Sequence, residues 1–227
     1  MDKQLLIFDF DGTLIDSVPD LADATNTMLE ELGKPIYSLD TIKEWVGNGS
    51  RLLVERALVG KTEVVAGALT QEEADHAESI FLEAYNNISD SKTVAYPDVD
   101  SGLRQLKDMG YTLALVTNKP IRFVPKILES FGWTPLFSSV LGGDSLLVKK
   151  PDPTPLLHTC QTLGFTAEQA FMIGDSINDM LAGKNAGIDT LALSYGYNYG
   201  QDIRDSQPTQ AFDNFADLLT YLVKEKV

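Results

Sequence analysis

Apolar positions in this chain follow two alternating patterns. Short aliphatic and β-branched runs at residues 5–9, 111–117, 139–142, 170–174 and 190–193 read as strands. Longer stretches with apolar residues every three or four positions read as helices, at 101–109, 121–131, 154–163 and 176–186. Near-continuous apolar strands alternating with helices imply a parallel sheet covered on both faces, an α/β architecture. In such sheets ligands bind beyond the carboxyl ends of the strands.

Residues 15–91 break that rhythm. They offer no convincing strand, only helical spacing: Leu21, Thr25, Met28, Leu29 and Leu32, then 50–58 and 72–88. Ser17 with Asp20, and Thr70 with Glu73, have the three-residue separation of a capping box. An ordinary crossover needs about a dozen residues, so a separate all-helical unit is expected after the first strand. Its hinges are expected at 13–18 and 91–98. No internal repeat or low-complexity tract is visible.

Composition narrows the function. The 227 residues, 44% hydrophobic, suffice for one large domain or two modest ones. The net charge of −15 disfavours nucleic acid and anionic membranes as partners, and an anionic substrate must be attracted by local groups. The single cysteine, Cys160, lies in a helical stretch and is expected in the core. Asp2 and Lys3 precede only a few apolar residues, with no signal-peptide pattern and no membrane-length run, so a cytoplasmic protein is expected.

Four groups carry candidate chemistry. The strand at 5–9 ends in Asp9 and, after Phe10, Asp11 and the turn residue Gly12. Two carboxylates so close are costly to ionise unless a cation or shared protons hold them. A carboxylate can be a nucleophile towards phosphorus, a second one pleat away can protonate a leaving alkoxide, and Mg²⁺ is a hard cation suited to such oxygens. Thr117 and Asn118 end the next strand ahead of Pro120 and offer a hydroxyl and amides to a phosphate oxygen. Lys150, before Pro151, could balance phosphate and carboxylate charge. The run from Gly174 through Asp175, Ser176, Ile177 and Asn178 to Asp179 puts one carboxylate at a strand end and another one turn along a helix. Asp175 could ligate a metal, and Asp179 could orient a metal-bound water or Lys150. Taken singly, each group could be a cap or a solvated side chain. Their shared position at successive strand ends marks a site.

The strings DFDGT, VTN, KKPDP and GDSIND, in this order and spacing, resemble the four motifs of the haloacid dehalogenase superfamily, over nearly the whole chain. The resemblance implies a Rossmann-like core (1–14 and 92–227) with a helical cap (15–91). It implies Asp9 as nucleophile, Asp11 as general acid and base, and Thr117, with Asn118, and Lys150 as phosphate binders. Mg²⁺ would be held by Asp9, the backbone carbonyl of Asp11, and Asp175, with Gly174, Ser176 and Asp179 in support. Within the superfamily, the cap string from Trp45 to Gly49, the run Leu53–Leu58, Gly142-Gly143-Asp144 and the string from Tyr195 to Gly200 are similar to bacterial phosphoglycolate phosphatases. That likeness implies hydrolysis of 2-phosphoglycolate through a phosphoaspartate, by a monomer or homodimer acting on a small phosphate ester. Other small phosphate monoesters, or a phosphosugar mutase reaction, are the alternatives; a dehalogenase would leave Asp11 idle. The substrate's carboxylate needs a cation, for which the cap offers Arg51 or Arg56 beside the loop of Gly47, Asn48 and Gly49.

Overall fold

A computed structural model describes residues 3–88 and 92–226. In chain order the elements are β1 (Leu5–Phe8), β2 (Ile15–Asp16), α1 (Val18–Glu31), α2 (Leu39–Lys43), α3 (Ser50–Val59), α4 (Gln71–Ile88), β3 (Val94–Ala95), α5 (Val99–Asp108), β4 (Thr112–Val116), α6 (Val124–Ser130), β5 (Phe137–Leu141), α7 (Thr154–Leu163), β6 (Ala170–Gly174), α8 (Ile177–Ala186), β7 (Asp189–Leu193), β8 (Gln210–Phe212) and α9 (Phe215–Glu225).

Six strands form one parallel sheet in the order β5-β4-β1-β6-β7-β8. All five expected strands are in it, with β5 starting two residues earlier than its pattern suggested. β1 lies at the centre, paired Leu6 to Leu113 on one side and Leu6 to Phe171 on the other. Alternate residues serve opposite faces. Leu6 and Phe8 pack towards α5, α6 and α9, while Leu5 and Ile7 pack with residues of α7 and α8. Burial on both faces explains the unbroken apolar runs. Cys160 is buried on the second face, as expected.

Helices α1 to α4 share a separate apolar cluster that includes Leu21, Met28, Leu53, Phe81 and Tyr85. It also takes in Phe123 and Tyr197 from the sheet-bearing part, so the helical unit is seated on the strand ends. The expectation of an all-helical stretch from residue 15 needs a correction. Ile15–Asp16 forms β2, paired antiparallel with β3. The two connecting segments are thus a short ribbon, stabilised by each other; residue 91, expected to open the second hinge, lies outside the described residues.

The two proposed capping boxes part ways. Thr70 and Glu73 form theirs: Thr70 N donates to Glu73 Oε2 (2.8 Å) and Glu73 N to Thr70 Oγ1 (3.2 Å). Ser17 and Asp20 do not. Ser17 holds a helical backbone conformation (φ −107°, ψ 0°) and its hydroxyl is spent on Asp11. Asp20, fully buried, accepts instead from Lys92 N (3.0 Å), Thr93 N (2.9 Å) and Thr93 Oγ1 (2.7 Å). Those bonds fasten α1 to the returning segment.

Candidate active site

The four groups converge beyond the carboxyl ends of β1, β4 and β6. Asp9 continues the ladder, its N donating to Ile173 O (2.9 Å), so sheet pairing fixes the backbone of the first carboxylate. The chain then turns at Gly12 (φ +85°), where a Cβ would lie 2.2 Å from Asp175 Oδ2. Only glycine allows both that turn and that approach. Asp175 is locked by Thr13 Oγ1 (2.5 Å) and by the backbone N of Tyr197 (2.6 Å).

Asp179 is tucked under the end of β6. A Cβ on Gly174 would meet its carboxyl carbon at 2.3 Å, which accounts for the glycine there. Ser176 donates to Asp179 from its backbone N (3.0 Å) and its Oγ (2.8 Å). Lys150, almost wholly buried, reaches Asp179 Oδ1 at 2.6 Å and Asp9 Oδ1 at 2.9 Å. The contact to Asp9 is an ion pair off the hydrogen-bonding direction, since among the described residues no aligned donor serves Asp9 Oδ1.

Oxygen atoms of Asp9, Asp175 and Asp179 lie within 4.8 Å of one another. Burial first, then the Asp179 charge, raises the Asp9 carboxyl from 3.8 to about 7 despite the opposing pull of Lys150. Burial, reinforced by Asp179 and Asp9, also holds Asp175 well above the usual carboxylate range. One ammonium does not neutralise three buried carboxylates. Together with the unserved Asp9 oxygen, this oxygen-only donor set fits a hard divalent cation. Asp179 is engaged by the Lys150 ammonium and by two donors of Ser176, whereas Asp175 has one neutral donor on each oxygen, which favours Asp9 and Asp175 as the ligands.

The Asp11 side chain stands apart from that cluster. It accepts from Ser17 Oγ (2.5 Å) and from Lys119 Nζ (3.0 and 3.2 Å). It lines a pocket together with Asp9, Thr117, Asn118 and Lys119 from the sheet side, and Gly47, Gly49, Ser50 and Tyr85 from the helical unit. Thr117 is buried at the end of β4, beside Asp9 in this lining. The Asn118 side chain is not offered to a phosphate. Its Nδ2 donates to Gly47 O (3.1 Å) and Lys150 O (2.9 Å), clipping the cap loop to the lysine segment.

The loop at Gly47 and Asn48 is held at two further places, where Asn178 Nδ2 reaches Gly47 O (3.3 Å) and Lys149 Nζ reaches Asn48 O (2.8 Å), and Tyr197 OH separately reaches Asp16 Oδ1 in the connecting ribbon (2.5 Å). Neither arginine faces the pocket, which corrects the expectation that one of them reads the substrate. Arg51 is taken by Glu55 (2.7 Å), Asp75 (2.5 Å) and Glu78 (3.2 Å), three carboxylates on the outer faces of α3 and α4. Arg56 is buried under the loop, donating to Trp45 O (2.7 Å) and Thr62 O (2.8 Å) and facing the Tyr199 ring. It braces the loop from behind.

Three groups at the site had no assigned part in the sequence reading. Thr13 fell within an expected hinge, Lys119 was not singled out, and Tyr85 was only part of the helical stretch 72–88. The helical spacing of Ala77, Phe81 and Tyr85 predicts burial, but nothing in it marks the hydroxyl.

Comparison with known proteins gives the chain's family. The profile of the family described as haloacid dehalogenase-like hydrolase matches residues 6–193. The chain is 70% identical to a phosphoglycolate phosphatase of Psychrobacter arcticus, over 99% of this chain and 97% of that one, and 47% identical to one of Colwellia psychrerythraea, over 97% of each. It superposes with a TM-score of 0.90 on the crystal structure of a predicted phosphoglycolate phosphatase from Haemophilus somnus, 39% identical, covering 97% of this chain and 98% of that one. By these likenesses and by its own sheet-end carboxylates, the chain belongs to the haloacid dehalogenase-like hydrolase family.

Proposed function

We propose that the chain hydrolyses 2-phosphoglycolate to glycolate and inorganic phosphate, with Mg²⁺ as cofactor and residues 15–91 as a cap over the site. The observation that carries the reading is the pairing of Asp9, beside a buried lysine and a cation-ready carboxylate cluster, with Asp11, held separately on the pocket side. The relatives that share the whole chain bear the name of that activity.

Asp9 is the attacking group. Its Oδ forms a bond to phosphorus as the bond to the glycolate oxygen breaks, and the Asp11 carboxyl gives that oxygen its proton. Water then attacks the phosphoaspartate and passes a proton to Asp11, and the aspartyl–phosphorus bond breaks to release phosphate. Lys150 and Thr117 hold phosphoryl oxygens through both steps, so positioning and charge neutralisation account for most of the acceleration. Asp9 and Asp175 would ligate Mg²⁺, with the Asp11 carbonyl completing the protein's share and Asp179 steering Lys150. When bound, the cation supplies positive charge that keeps Asp9 ionised and offsets the phosphoryl charge. Ser17 and Lys119 keep the Asp11 side chain turned away from the cluster and towards the leaving group. Leu21, Leu53 and Phe81 line the cap side and exclude water.

Phosphate release across 2-phosphoglycolate, hexose phosphates, nucleoside monophosphates and pyrophosphate, with and without Mg²⁺, tests the reading. The expected result is Mg²⁺-dependent release with 2-phosphoglycolate preferred. Isomerised sugar phosphate without phosphate release, or a preference for another ester, would overturn it.

A further inference from the structure

With Arg51 and Arg56 committed elsewhere, the substrate's carboxylate has no partner among the residues that sequence singled out. The pocket itself contains one. Lys150 is taken up by Asp9 and Asp179, and among the described residues the cation lining the cavity is Lys119, at the Asp11 end. We infer that Lys119, positioned by Tyr85 of the cap, is the residue that reads the carboxylate of the leaving group. The inference rests on the phosphoglycolate reading above.

The geometry follows from the leaving group's size. Ester oxygen and carboxylate are separated by a single methylene carbon in 2-phosphoglycolate. An acid that reaches the ester oxygen therefore brings its own hydrogen-bonding neighbour within reach of the carboxylate. Lys119 Nζ is that neighbour, 3.0 and 3.2 Å from the two oxygens of Asp11. An ammonium has three donors. One hydrogen shared between the Asp11 oxygens and one given to Tyr85 OH (2.7 Å) leave a third for a ligand. Lys119 is buried and its charge is secure: burial opposes it, but Asp11 and the Tyr85 hydroxyl hold the ammonium above the usual lysine range.

Tyr85 makes the reader depend on the cap. Its ring lies parallel to Phe81 (5.8 Å between centroids) and edge-on to Phe123 (4.8 Å), with Lys119 Nζ 4.7 Å from its centre. The ammonium comes from the sheet side and the hydroxyl from α4, so the pair forms only where the two parts meet. Apolar walls of Leu53, Phe81 and Phe123 lower the local dielectric and strengthen an ion pair made there. In a chain with a net charge of −15, such a local cation is what admits an anionic leaving group.

The test compares kcat/KM for 2-phosphoglycolate and for ethyl phosphate, which carries a methyl group where the carboxylate would be. The wild-type protein is expected to prefer 2-phosphoglycolate; equal use of both would sink the phosphoglycolate reading itself. In Lys119→Met the preference is expected to shrink about 100-fold, mostly through KM for 2-phosphoglycolate. If both substrates lose activity equally, Lys119 acts only by positioning Asp11, and the inference fails; an unchanged preference also overturns it. Tyr85→Phe is expected to cut the preference about threefold to tenfold, since the ammonium loses a hydrogen bond that positions it but keeps its charge. Should Lys119→Met not fold, Tyr85→Phe decides the matter: an unaltered preference there rejects the inference.

Discussion

The two walls of the pocket are built on opposite plans. On the sheet side, charge meets charge: Lys150 touches two carboxylates, Asp175 is clamped by a hydroxyl and an amide, and Asp9 and Asp175 follow strands whose register is fixed by neighbours on both sides. On the cap side the lining is mostly apolar, with loop backbone and two hydroxyl-bearing side chains, Ser50 and Tyr85. The rigid wall suits a step that demands alignment of reacting atoms. The softer wall, joined to it by side-chain to backbone hydrogen bonds, suits the choice of leaving group and the exclusion of water.

The largest effect should come from the rigid wall. Asp9→Asn should cost about 10⁴-fold or more in kcat with the fold retained, because an amide cannot form the phosphoenzyme; steady-state rates and circular dichroism check both halves. Full turnover in that variant would remove the nucleophile. Asp175→Asn should come next. Its amide keeps one acceptor oxygen, enough for the Tyr197 N–H, while Thr13 must turn its hydroxyl to accept from the new NH₂; it also loses the anionic ligand, so the Mg²⁺ concentration for half-maximal rate should rise about 100-fold.

Protons and metal should compete on the same wall. Asp9 rises from 3.8 to about 7 on folding, so between those values the folded protein binds more protons than the unfolded chain. Metal-free stability contributed by this group is therefore greatest at low pH and declines as pH rises towards 7. A cation displaces that proton, so thermal stabilisation by Mg²⁺ should grow from about pH 6 to about pH 8. Stabilisation that is independent of pH in this range would contradict the cluster's assignment.

The junction and the cap should respond more mildly. Asp20→Ala should destabilise the protein by about 1–3 kcal/mol, because it strands the buried backbone and hydroxyl donors of Thr93; urea unfolding measures it. Arg51→Ala should change kcat/KM by no more than about threefold, as expected for a partly exposed ion-pair network. A large loss specific to 2-phosphoglycolate in that variant would return the arginine to the site.

What could be read from sequence follows the same division. Sheet-side residues were legible because strand ends are marked by apolar runs and the chemistry sits immediately after them: Asp9, Thr117 and Asp175 each follow such a run. Lys150 was legible through its place in a motif, and its meeting with Asp179 was anticipated. The cap-side reading went astray for a physical reason. Arg51 and Arg56 are near Gly49 along the chain, but α3 carries both away from the cavity, one to the acidic outer face and one beneath the loop. Lys119 and Tyr85 lie on separate elements, and only folding brings them to 2.7 Å. β8 gives little periodicity because it is a three-residue strand at the sheet edge, whereas α9 carries Phe215, Leu218 and Leu222 at helical spacing and was legible.

The most direct test of the central claim is an acid quench of the wild-type protein during turnover of phosphate-labelled 2-phosphoglycolate, followed by peptide mapping. The account predicts label on the peptide containing Asp9, absent in Asp9→Asn. Turnover at full rate with label on another residue, or with no covalent label at any time, would contradict it.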